Sequence, residues 1–160
     1  MFKVTNIFLL LLFTASATSV CAQSTSVKQM QKLSHFVGNW EGTSKQYEND
    51  ILVNEVPAYE KISYKVDKHI LTIDLDSETL KIHTVIYYDE KAETYYYNPY
   101  YENGTARYPA KLVDKKLIVS PSTTKRFIFE ITDKGKFREY GENYKDGKWT
   151  TYFEDVFQKQ

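Results

Sequence analysis

Cysteine is all but missing from this chain of 160 residues, where Cys21 is the only one. It falls in a stretch that reads as a leader, so the remainder has no thiol nucleophile, no disulfide and no Cys metal site. With no cross-links, stability must come from a packed core. Four prolines and six glycines exclude a collagen-like repeat, and a 42% share of hydrophobic residues excludes disorder. Charge of one sign is not in excess either, with 21 basic and 21 acidic residues. Nucleic acid and anionic membranes attract strongly basic proteins, and neither is an expected partner. The chain also lacks a Gly-rich phosphate loop, a nucleophile elbow and a Walker sequence, so nothing points to an enzyme.

Met1–Ala22 has Lys3 as a short basic region, an apolar run from Ile7 to Phe13, and then small residues ending Val20-Cys21-Ala22. Val at −3 and Ala at −1 suit signal peptidase, placing the cut after Ala22. The apolar run is too short to cross ~30 Å of hydrocarbon, so no membrane insertion is expected once the leader is removed. Lipidation at Cys21 is the alternative, although Val20 and Thr18 are poor residues to precede such a cysteine. Domain boundaries are therefore 1–22 for the signal peptide and 23–160 for one domain, exported to a bacterial periplasm or beyond. Asn103-Gly104-Thr105 matches a glycosylation sequon, but a turn explains those residues without sugar.

Val27, Met30, Leu33 and Val37 fall at helical spacing, predicting one short helix over Ser26–His35. From Gly38 onward apolar and polar residues alternate, with turn signals every 8 to 14 residues. Val56, Ala58, Ile62, Tyr64 and Val66 share one parity, broken only by Glu60. Strands are expected at Trp40–Tyr47, Val56–Asp67, His69–Leu75, Thr79–Tyr88, Glu93–Tyr101, Thr105–Val113, Lys116–Ser120, Lys125–Thr132, Lys136–Tyr144 and Lys148–Phe157. Asn103-Gly104 and Asp146-Gly147 suit tight hairpins, and Asp133-Lys134-Gly135 suits a longer one. A flat sheet of this many strands would expose two long edges. The expectation is an all-β, antiparallel, up-and-down β-barrel of about ten strands with one short N-terminal helix; a two-layer sandwich is the alternative.

Phe36-Val37-Gly38-Asn39-Trp40-Glu41-Gly42 contains a Gly-x-Trp pair between the helix and the first strand. Near the C-terminus stand Arg138-Glu139-Tyr140-Gly141-Glu142, Asp146-Gly147-Lys148-Trp149 and Phe153-Glu154. With Tyr87-Tyr88-Asp89, these stretches resemble an uncharacterised bacterial lipocalin-like (calycin-type) domain family over most of residues 36 to 157. The resemblance implies that Trp40 plugs the closed end of a barrel. Lipocalins proper also carry an Arg on or after the last strand that packs over this tryptophan. Residues 148 to 160 contain no Arg, and Arg138, one strand earlier, is the candidate substitute.

Tyrosine is the outstanding component, with 14 residues, five of them Tyr95, Tyr96, Tyr97, Tyr100 and Tyr101. Packing accounts for such a strand; so does a ligand wall, since a phenol offers an apolar ring and a hydroxyl together. Alternation places Tyr95, Tyr97 and Tyr101 on one face, the candidate wall. A buried Glu60 needs a partner or a wet cavity. It could be a structural ion pair, be turned outward by a bulge, or act with an arginine (Arg107, Arg126 or Arg138) as the polar anchor of a pocket. Glu139, Glu142 and Glu154 read as solvated cross-strand partners of lysines. His35, His69 and His83 have no ligand spacing, so neither metal nor haem is expected. The ligand-binding candidates are thus Glu60, Tyr64, Tyr95, Tyr97, Tyr101, Arg126 and Arg138, around a small apolar or amphipathic ligand. A carbohydrate- or protein-binding surface with no cavity ligand is the alternative, and it requires exposed Tyr95 and Tyr97.

Overall fold

The period-two pattern is realised as strands along almost the whole chain. A computed structural model describes residues 24–160; the expected signal peptide Met1–Ala22, with Cys21, lies outside the described residues. Helix α1 (Thr25–Gln31) is capped by Ser24, whose side chain accepts a hydrogen bond from the Val27 N–H. A 3-10 turn follows at Ser34–Phe36. The sequence predicted one continuous helix here, but the buried residues Val27, Met30, Leu33 and Phe36 recur every third position. An α-helix drifts by about 60° over each such step, whereas a 3-10 turn keeps the same face inward.

The strands are β1 (Gly38–Glu48), β2 (Ile51–Lys65), β3 (Ile70–Ser77), β4 (Lys81–Asp89), β5 (Thr94–Tyr101), the stub β6 (Gly104–Thr105), β7 (Tyr108–Val113), β8 (Lys116–Ser122), β9 (Lys125–Ile131), β10 (Phe137–Lys145) and β11 (Lys148–Lys159). Leaving β6 aside, each pairs antiparallel with the next, and β11 returns to β1 with Trp40 opposite Lys159 and Gln46 opposite Phe153. The result is the expected closed barrel of ten strands, with β6 attached only to β5. Closure leaves no long unpaired edge.

Two turns depart from expectation. β2 begins at Ile51, five residues early, because Asn49 and Asp50 make a glycine-free hairpin at φ 50° and 65°. Asn and Asp tolerate that region better than other side chains. Asn103-Gly104 is not a two-residue positive-φ turn, since only Gly104 has a positive φ, at 153°. Asp146-Gly147 behaves as expected, at 53° and 82°.

Helix α1 and the 3-10 turn close one end of the barrel. Beneath them, Phe137 lies between Phe129 and Phe157, with centroids 6.4 and 5.7 Å away, and Trp40 is 5.4 Å from Phe137. Trp40 is buried and its Nε1–H donates to the Phe36 carbonyl at 2.8 Å. Tyr64 and Tyr95 donate to the carbonyls of Met30 and Gln29, each at 2.8 Å, as second donors beside the backbone N–H groups of Leu33 and Lys32.

Candidate functional site: an open mouth above three buried acids

Inward parity on three strands brings acids together in the barrel. Glu60 from β2, Glu139 from β10 and Asp155 from β11 each offer a carboxylate oxygen, all within 4.8 Å of one another. Their exposures are 3%, 8% and 3%. Glu139 faces Asp155 across the β10–β11 ladder, and Asp155 faces Ser44 of β1. Neither oxygen of Glu60, nor Oδ1 of Asp155, has a donor among the described residues. The one hydrogen bond open to Glu60 is a proton shared with Glu139.

That arrangement disfavours ionisation. Burial, then the charge of Asp155, pushes Glu60 up to about 8, partly offset by the bond to Glu139. Burial and the charges of Glu60 and Asp155 hold Glu139 well above the usual carboxylate range. Asp155 rises less, to about 6, because the Ser44 hydroxyl and the Lys45 backbone N–H oppose its burial. The cluster therefore binds protons more strongly than three free carboxylates would.

Glu139 and Asp155 form the floor of a cavity of about 360 Å³ at the end of the barrel opposite α1. Its walls are Leu75, Ile82, Tyr97, Tyr101, Phe127, Tyr152 and Phe153, and its rim includes Glu48, Val53, Leu80 and Lys125. Tyr97 packs edge-on against Phe127 at 6.2 Å, and Phe127 lies 6.1 Å from Phe153. Gly141 leaves space for this wall: a Cβ there would collide with the Phe153 and Tyr152 rings. The Lys125 ammonium lies 4.7 Å from the Tyr152 centroid and 5.8 Å from that of Phe127.

The residues singled out from sequence divide into three groups. Tyr97 and Tyr101 line the cavity, and Glu60 lies among the acids of its floor. Tyr64 and Tyr95 are at the other end, engaged with α1; burial pushes both phenols up to about 12. Arg126 and Arg138 alternate with the inward Phe127 and Glu139, and so point outward. Arg126 Nε donates to Glu142 at 2.6 Å and stacks 4.1 Å from Trp149. Arg138 bonds Glu154 at 2.6 Å and Glu130 at 3.0 Å, over the Tyr140 ring. Arg107 lies over Tyr96 at 3.7 Å and near Asp89 at 3.8 Å. The anticipated Glu60–Arg pair is therefore corrected to a cluster of acids: every arginine has the opposite parity or a surface partner.

Glu142 and Glu154 do make cross-strand pairs, with arginines rather than lysines, but Glu139 turns inward. The signal for Glu139 and Asp155 was present, since Phe137, Glu139 and Gly141 share a parity, as do Phe153, Asp155 and Phe157. The histidines are dispersed: His35 bonds the Lys115 carbonyl at 2.9 Å, His69 lies 3.4 Å from Ser26 Oγ, and His83 lies 2.6 Å from Asp74.

No helix among the described residues is long and apolar enough to cross a membrane. No family model matches the chain, and no curated protein matches it either. Among solved structures, it is similar to a protein of unknown function from the DUF3598 family of Nostoc punctiforme, with 7% identity and a TM-score of 0.28 over 82% of this chain and 99% of that one.

Proposed function

We propose that this chain is an exported, lipocalin-like barrel protein that holds a small apolar or amphipathic molecule in its mouth. The observation that carries the reading is the cavity of about 360 Å³ walled by Tyr97, Tyr101, Phe127 and Phe153. Its size falls within the ~300–1,000 Å³ range of ligand pockets. Binding would desolvate the ligand against rings and aliphatic side chains, with hydroxyls and acids setting its orientation. Tyr95 and Tyr97 are 4% and 5% exposed, which favours a cavity over an outward tyrosine platform. Export rests on the leader sequence. The lipocalin likeness gains support from Lys159 on the last strand, whose Nζ sits 5.4 Å from the Trp40 ring and donates to the Val37 carbonyl at 3.0 Å. On this reading Lys159, rather than Arg138, would take the part of the lipocalin arginine.

The test is mass spectrometry of small molecules extracted from natively purified protein, beside an Ile82→Trp variant that fills the wall. One amphipathic species in near-stoichiometric amount, lost in the variant, is the expected result. An empty extract, together with no binding of an apolar fluorescent dye, would overturn the reading.

A further inference from the structure

We propose that the mouth selects a cationic amphipath, an organic ammonium whose head group docks on Glu60, Glu139 and Asp155 while its apolar part lies against the aromatic wall. This rests on the cavity reading above and assigns its ligand class. The three acids converge at one point of the barrel interior, two of them open onto the cavity, and Glu60 is buried with both oxygens lacking a donor. Buried carboxylates are costly without a counter-charge or donors. A primary ammonium supplies one positive charge and three N–H donors, matching three converging acceptors.

The wall agrees with the floor. Aromatic faces attract cations, and the mouth already holds one such group: the Lys125 ammonium over Tyr152 and Phe127. A divalent metal ion fits less well. Calcium takes about six to eight oxygen ligands and magnesium retains several waters, whereas around these acids the cavity wall is mainly apolar. The titratable groups that line the cavity with the cluster are Tyr47, Tyr97, Tyr101 and Tyr152, with Lys125 and Glu48 at the rim, and Ser44 and Gln46 add neutral polar groups. Only Lys125 among them is cationic, and its ammonium lies over the aromatic wall.

The test titrates octylamine, octanol and octanoate, three probes of one chain length, into the full-length mature protein by calorimetry near pH 7. Octylamine is expected to bind about 10- to 100-fold more tightly than octanol, with octanoate weakest. Amine binding should release protons, seen as an enthalpy that varies with buffer, and octanol binding should not. In Glu60→Gln/Glu139→Gln/Asp155→Asn the amine preference should vanish while octanol still binds; Asp155→Asn alone serves if the triple variant does not fold. Equal affinity of amine and alcohol in the wild type would overturn the ammonium site and leave the cavity reading standing. No binding by any probe would overturn both. Stoichiometric binding of calcium or manganese that depends on the acids, without amine preference, would overturn the ammonium assignment in favour of a metal site.

Discussion

The two ends of the barrel are built on opposite terms. At the end under α1, buried polar atoms are matched: Trp40 donates to Phe36, Tyr64 to Met30 and Tyr95 to Gln29, while Phe129, Phe137 and Phe157 stack in a row that solvent does not reach. At the mouth, the rings enclose a cavity, and below it both oxygens of Glu60 and Oδ1 of Asp155 lack donors. Satisfied polar groups and dense rings stabilise a fold, whereas unsatisfied groups beside empty space favour a ligand over stability. One sheet thus carries a filled end and an open end.

The comparison breaks most clearly in the core. Phe137→Ala should destabilise by about 3–5 kcal/mol in urea unfolding, and Phe153→Ala at the half-exposed mouth by much less. Equal losses would mean that the mouth is as tightly packed as the closed end.

Next come the acids. Glu60, Glu139 and Asp155 have folded-state pKa values above their unfolded ones, so the native protein holds more protons and stability falls as pH rises between about 4.5 and 8. Glu130 acts in the opposite sense: burial raises it, but hydrogen bonds from Lys116 and Arg138 outweigh that and lower it. Its contribution is present above the unfolded pKa and lost on acidification, so acid and alkali each remove stability through a different set of groups. Glu139→Gln should raise stability at pH 8 by about 1–3 kcal/mol and flatten the decline. A wild type equally stable at pH 5 and pH 8 would refute the crowding of charge.

Smaller effects sharpen the contrast. Tyr64→Phe and Tyr95→Phe should each lose about 1 kcal/mol, because each removes a hydrogen bond between a barrel strand and the helix; Tyr101→Phe at the mouth should stay within about 0.5 kcal/mol. The smallest change concerns the β2–β3 turn at the closed end, where Val66 sits at φ 49°, a region β-branched residues strongly avoid. Val66→Asn should raise the urea midpoint by an amount equivalent to about 0.5 kcal/mol.

Much of this was legible in the residues. Alternation named most strands to within a few positions, although β2 starts five residues early and the expected Thr105–Val113 strand is split into β6 and β7; the inward parity of β2 exposed Glu60 as an acid on an apolar face. The same rule applied to Phe153-x-Asp155-x-Phe157 finds the second acid, and on β10 it finds Glu139 between Phe137 and Gly141. Those positions are obscured by neighbouring charges, Arg138 and Glu154, which occupy the outer face and make the segments read as solvated. The missed hairpin at Asn49-Asp50 has a similar origin, since a turn without glycine or proline gives little local signal.

Sequence alone determined the strand periodicity, the all-β class and the apolar parity that Glu60 interrupts, because these follow from local steric alternation and from burial; closure into a ring rather than a two-layer sandwich, and the inward turn of Glu139 and Asp155, did not follow from it. Which acids meet, that no arginine joins them, and that Tyr95 serves the plug while Tyr97 serves the mouth were decided only by tertiary structure. The stagger between strands, a property of the closed ring, sets the depth of each residue along the barrel axis.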